Sequence, residues 1–305
     1  MKQRETLGAQ SSIAKGLLAG TLLAIVTGCS VVEKAAGGST PPEDRLSQAA
    51  SQSGTAEFTR ASATEEQVWV THSADGKQLV TTGFKGDPVT TQPDTASTLD
   101  PVKPLPISTL TAGLDQRVPD CKNWRLEATS TPAGAVVQRA LCDGGKGGEW
   151  LDGKTIPEIS QWDEKSVDTV LAEARATLGG KSLDLAFVAE GNSAAGGKLS
   201  ARFSSLPQKT PDGRQCPVSI ARHAAPGSLP LIQVVGCGES LGKEVDLTRL
   251  SGKVLMAAIE KASQQKSVQP GDWEKFTVLG GDGGKVTLQL SPKDMMVGVT
   301  VIPLP

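Results

Sequence analysis

The sequence predicts an α+β fold made of tandem duplicated ββαββ units with antiparallel sheets, each unit stapled by one hairpin disulfide. Three observations lead there. Cys121 to Cys142 and Cys216 to Cys237 span equal intervals. Each interval holds two strand-like runs around a Pro-containing turn. Each is followed by one amphipathic helical stretch and a further pair of strand-like runs. The first unit is expected over 116–207 and the second over 212–305.

At the start of the chain, Lys2, Arg4 and Lys15 sit in a polar opening, followed by an apolar run from Leu17 to Val26 and then small residues. These are the three parts of a secretory signal. The run is too short to span a bilayer, which needs about 20 residues. It ends in Val26-Thr27-Gly28-Cys29, which resembles the lipobox of bacterial lipoproteins: an aliphatic residue, two small residues and the cysteine that becomes the mature N-terminus. The resemblance covers residues 1–29 alone. It implies a signal peptide over 1–28, lipidation of Cys29 and residence at the cell membrane on its extracytoplasmic face. Acyl chains there would hold the protein to lipid through about 0.8 kcal/mol per buried methylene.

Cleavage removes Lys2, Arg4, Lys15 and Glu5, so the mature chain is more negative than the −2 of the whole. A mildly acidic surface argues against nucleic acid as an electrostatic partner. With no tyrosine and 3% aromatic residues, the chain is poorly supplied for an aromatic-lined sugar or nucleobase site.

From Cys29 to Gln67 the chain is rich in Ser, Ala, Thr and Gln without a sustained apolar period, which predicts a disordered tether over 29–67. Residues 68–115 read as a hairpin plus a Pro/Thr-rich coil. Val68-Trp69-Val70 and Leu79-Val80 flank Asp75-Gly76, whose two residues both tolerate positive φ. Pro88, Pro93, Pro101, Pro104, Pro106 and Pro119 then argue against a helix and against most central strands.

Four cysteines remain besides Cys29 in an oxidising compartment, so disulfides are the default. In each interval the cysteines flank the open end of the predicted hairpin, which favours the pairs Cys121–Cys142 and Cys216–Cys237. The first helix is expected over Ser166–Leu178, with Val167, Val170, Leu171, Ala174 and Leu178 on one face and Gly179-Gly180 as its stop. The second is expected over Asp246–Ala262, capped by Asp246. Two-strand units follow at 183–203 and 276–290, and Val297–Val301 reads as a last strand. Residues 183–237 also read as four consecutive strands, which would join both units in one sheet.

Motifs for chemistry are sparse. Two histidines, His72 and His223, are too few for a histidine metal centre, and the cysteines lack the close pairing of zinc ligands. No Gly-x-Ser-x-Gly elbow occurs, and Gly191-Asn192-Ser193 reads as a turn. Gly179-Gly180-Lys181-Ser182 ends like a phosphate loop, yet its helix precedes rather than follows it. Gly281-Asp282-Gly283-Gly284 lacks the alternating acidic ligands of a calcium loop. The sequence predicts no cofactor and no metal site. Asp143, Glu149, Asp152, Glu158, Asp163 and Glu164 cluster after Cys142 with Trp150 and Trp162. That stretch reads as a solvated loop whose tryptophans cover a small core, or, with Trp150 and Trp162 exposed, as a recognition loop.

The function expected from these features is a non-catalytic binding or interaction module of the cell envelope, its partner an envelope protein or a lipid. The alternatives are a lipid carrier and an envelope hydrolase whose residues meet only in three dimensions, with His223 beside Ser219 or Asp212.

Overall fold

The computed structural model describes residues 40–305 except 85–88, 94–100, 144–146, 191–197, 211, 224–231, 235–236 and 238–241. The signal segment, Cys29 and the Gly191-Asn192-Ser193 turn lie outside the described residues. Helix α1 (Pro42–Ser51) opens the fold, with Pro42 in its first turn where a missing N–H costs nothing. It buries Leu46, Ala49 and Ala50, an i, i+3, i+4 stripe. Strand β1 (Arg60–Thr64) follows and buries Ala61 and Ala63. The stretch from Thr40 to Gln67 is therefore folded, which corrects that part of the tether predicted over 29–67, residues 29–39 lying outside the described residues. The stripe that folds it is short and made mostly of alanine, so it gives little apolar periodicity.

The Asp75-Gly76 hairpin forms between β2 (Gln67–Ala74) and β3 (Lys77–Phe84), both turn residues having positive φ. A fourth strand, β4 (Thr90–Pro93), lies at the sheet edge and is exposed throughout, a place that tolerates proline. Helix α2 (Ile107–Thr111) then interrupts the predicted coil, with Pro106 at its N-cap rather than inside it. Next come β5 (Arg125–Ser130), β6 (Val136–Leu141), β7 (Gly148–Leu151) and β8 (Lys154–Thr155). These strands make one eight-stranded antiparallel sheet in the order β8-β7-β6-β5-β1-β2-β3-β4. Its core centres on Leu46, Phe58, Val70, Leu110 and Leu126.

The second half begins with α3 (Glu164–Leu178). Asp163 caps it by accepting from Ser166 N–H, and Gly179 ends it at φ 80°. Strands β9 (Asp184–Glu190), β10 (Lys198–Ser204), β11 (Val218–His223) and β12 (Ile232–Val234) follow. After them come α4 (Gly252–Lys266), β13 (Trp273–Gly280), β14 (Val286–Pro292) and β15 (Thr300–Leu304). They form a seven-stranded sheet in the order β12-β11-β10-β9-β13-β14-β15, with α3 and α4 packed on it. Asp246 caps a short 3₁₀ turn instead of α4, whose own cap is Ser251. Gly252 is required where α4 starts, because a Cβ there would lie 2.0 Å from the Glu164 carbonyl oxygen.

The fold is thus α+β with antiparallel sheets, and each sheet holds one disulfide, Cys121–Cys142 in the first and Cys216–Cys237 in the second. The units differ from the predicted ββαββ repeats. Hairpin β5–β6 belongs to the first sheet, whereas β9–β10, on the other side of α3, belongs to the second. The recurring element is a helix followed by an antiparallel meander, opened in turn by α1, α2, α3 and α4. Within each sheet two such meanders meet along their first strands, β1 with β5 and β9 with β13. The disulfides occupy non-equivalent places, one joining the first and second strands of a meander and the other the third and fourth. The alternative reading of 183–237 as consecutive strands of one sheet matches β9 to β12.

Candidate binding groove at the junction of the two sheets

The first sheet ends at the hairpin β7–β8, whose two-residue turn holds Asp152 at φ 47° and Gly153 at φ 80°. Both left-handed positions suit a type I′ turn, and the Asp152 carboxylate steadies it by accepting from Val136 N–H at 2.8 Å. The chain continues through Ile156 and Pro157 to α3, which returns alongside. Thr169, Ala172, Glu173 and Ala176 lie at i, i+3, i+4 and i+7 on one face of α3, opposite the hairpin.

Between hairpin and helix lies a groove of about 370 Å³. Leu151, Ile156, Pro157, Ala172 and Ala176 supply its apolar surface, while Asp152, Lys154, Thr155 and Thr169 bring polar atoms to it. Ile156 N–H bonds back to the Glu149 carbonyl at 2.9 Å. Antiparallel neighbours alternate, so the N–H and C=O of Thr155 point outward along the free edge of the sheet.

Behind the groove is a cavity of about 20 Å³ that shares Leu151, Ile156 and Glu173 with it. Glu149 reaches this cavity from the first sheet and Arg222 from the second. Arg139 Nε donates to Glu149 Oε1 at 2.9 Å, and its Nη1 lies 3.7 Å from Glu127 Oε2. Arg222 Nε donates to Glu173 Oε2 at 2.7 Å, and its Nη2 donates to the Pro157 carbonyl. Glu173 Oε1 is buried and accepts no hydrogen bond. Burial, reinforced by the charge of Glu149 and opposed by Arg222, raises the Glu173 carboxyl above its ordinary range.

The acidic cluster predicted as one loop is dispersed by the fold. Glu149 is buried at the junction, Asp152 stands in the turn, Asp163 caps α3, and Asp143 accepts from Asn123 Nδ2 at 2.6 Å. Trp150 is half-buried against the first core with Arg117 over its ring at 4.9 Å. Trp162 packs edge-on against Phe187 and Phe276 and donates through Nε1 to the Val188 carbonyl. Neither ring lines the groove.

Of the groups named for the hydrolase alternative, the His223 side chain lies outside the described residues. Ser219 and His223 lie four residues apart on β11, roughly 13 Å at about 3.3 Å per residue. Asp212 accepts from Thr210 and pairs with Arg214 at 2.7 Å. His72 is buried edge-on to Phe58, and burial lowers its pKa. Among the described residues no group of three or more His, Cys, Asp or Glu side chains could hold a metal ion. No helix there is long and apolar enough to cross a membrane.

The groove and its charged floor were not identified from sequence, although one signal is present. Val170, Glu173, Ala174 and Thr177 share a helical face, so a carboxylate interrupts an otherwise apolar stripe.

No protein-family model matches the sequence, and no curated protein does. Among solved structures, proliferating cellular nuclear antigen from Entamoeba histolytica aligns at 12% identity and TM-score 0.17, over 85% of this chain and 94% of that one. The PCNA2-PCNA3 complex from Sulfolobus tokodaii aligns at 10% identity and TM-score 0.17, over 87% and 96%. A DnaN sliding clamp from Pseudomonas aeruginosa gives 10% and 0.16, over 86% and 61%. Scores this low establish no shared fold and no shared function.

Proposed function

We propose that the chain is an extracytoplasmic lipoprotein, cut before Cys29 and held at the membrane by acyl chains on that cysteine, whose folded part is a non-catalytic binding module. Its partner is an extended segment of an envelope protein. The observation that supports binding is the groove between the β7–β8 hairpin and α3. Its open edge offers the N–H and C=O of Thr155 to an added strand, and Ala172 and Ala176 leave room for alternate apolar side chains. The edges β4 and β15 are less suited to strand addition, since β4 carries Pro93 and β15 carries Pro303, each without an N–H. The repeated helix-plus-meander is, in this reading, the duplicated unit, and duplication places the groove where two meander-bearing halves meet.

The test is photo-crosslinking in whole cells from position 169, with native mass spectrometry of the protein purified from membranes. The expected result is a protein adduct that falls at least tenfold in the Ala172→Trp variant, whose indole fills the groove; tenfold corresponds to about 1.4 kcal/mol. A bound mass of lipid size released on denaturation would replace the protein partner with a lipid and make the chain a carrier. The anchor is tested separately. Cys29→Ser is expected to move the protein from the membrane fraction to the aqueous one, and unchanged membrane retention would overturn lipidation as its tether.

A further inference from the structure

We propose that the segment taken up by the groove is the extracytoplasmic flank of an integral membrane protein, an extended stretch within about twenty residues of a membrane span. This deepens the binding reading above and rests on it, and on the lipidation of Cys29.

The support is the place where the chain enters the fold. Helix α1 comes first, and its first turn is clipped to the 3₁₀ turn Asp115–Arg117 by a reciprocal pair of hydrogen bonds. Glu43 N–H donates to Asp115 Oδ1 at 2.9 Å, and Asp115 N–H donates to Glu43 Oε1 at 3.2 Å. Arg117 ends that turn and is near enough to Glu43 for the carboxylate charge to act on it. From there it reaches the β7–β8 hairpin. Its guanidinium lies over the Trp150 ring at 4.9 Å, and its Nη2 is 3.7 Å from where a Cβ on Gly153 would stand. One side chain therefore connects the start of α1 to the turn of the hairpin that walls the groove.

Cys29 and Thr40 are eleven residues apart in the sequence, and a chain of that length spans at most about 40 Å in any conformation. An acylated Cys29 keeps Thr40 within that distance of lipid, and Arg117 keeps the hairpin close to the entry point. The groove thus works in a layer next to the membrane. A secreted protein only passes through that layer, whereas the flank of a membrane span is confined to it, and confinement raises its effective concentration without any added contact. The chemistry of the groove suits such a flank. Its rim carries one exposed acid, Asp152, and one exposed base, Lys154, so it selects for no net charge. Extracytoplasmic flanks are those with the smaller share of Lys and Arg.

The test is photo-crosslinking from position 169 of the full-length protein in whole cells, with the adducted peptide mapped by mass spectrometry. The expected adduct lies in a membrane-spanning protein, within about twenty residues of a span. Its yield should fall at least tenfold in Cys29→Ser, since the anchor no longer concentrates the groove in that layer. An adduct on a secreted or wall-linked protein, or farther along a membrane protein, would overturn the flank as the occupant, as would a yield unchanged in Cys29→Ser. Where such an adduct still falls in Ala172→Trp, the groove reading stands without this inference. Lipid as the sole adduct, or no adduct sensitive to Ala172→Trp, overturns both.

Discussion

Arg222→Met is expected to destabilise the protein by about 3–5 kcal/mol, because it leaves the Glu173 carboxylate buried without its cation. The Pro157 carbonyl loses its donor as well, so the segment leading into α3 is loosened from the second sheet. Uncoupling the charge from the space it fills is possible. In Arg222→Met/Glu173→Leu both partners become apolar and of similar bulk, a replacement that is often neutral or better. The double variant should therefore recover most of what the single one loses. The single variant's loss should also shrink as pH falls, since a protonated Glu173 no longer needs the arginine. Equilibrium urea denaturation at pH 7 and pH 5 reads both effects through the midpoint. A single-variant loss below about 1 kcal/mol would mean that water already solvates the pair.

The features that sequence made legible are those set by local rules. Asp75-Gly76 names its own hairpin through the positive φ of both residues, and Asp163 with Gly179 marks the ends of α3. The two cysteine pairs follow from hairpins whose open ends they close. What failed was long-range. Whether β5–β6 and β9–β10 share a sheet depends on which edges meet, and β1 finds β5 across 60 intervening residues with nothing in either strand to announce it. The equal cysteine spacing suggested a repeat because both hairpins have similar lengths, yet the bridges sit at different steps of their meanders. The groove escaped for the same reason. Its walls are a hairpin and a helix, each readable alone, and the buried charges behind it come from β6, β7, α3 and β11, elements brought together only by the tertiary fold.

Reducing both disulfides is expected to cost about 6 kcal/mol, around 3 kcal/mol for each closed loop of 21 residues by the chain-entropy estimate. Against a total stability of roughly 5–15 kcal/mol, that is enough to lower the melting temperature by about 10–20 °C. The bridges should not yield together. Cys121, Cys142 and Cys237 are half-buried and Cys216 is fully buried, so the first bridge offers two accessible sulfurs to a thiolate and the second one, and mild reductant should open the first bridge before the second. Their consequences differ as well. Cys121–Cys142 closes a hairpin whose β5 strand is paired on both sides at the middle of the first sheet, so Cys121→Ala/Cys142→Ala should lower the cooperative melt. Cys216–Cys237 ties down β12, a short edge strand whose sheet partner is β11. Its removal should appear first as faster amide exchange at Ile232–Val234, because an edge strand can open without the rest of the sheet. Thiol counting by mass during a reductant titration, with melting followed in parallel, separates the two. A melt that is unchanged when all four thiols are free would mean that packing in the two cores, rather than the bridges, sets the stability of the hairpins.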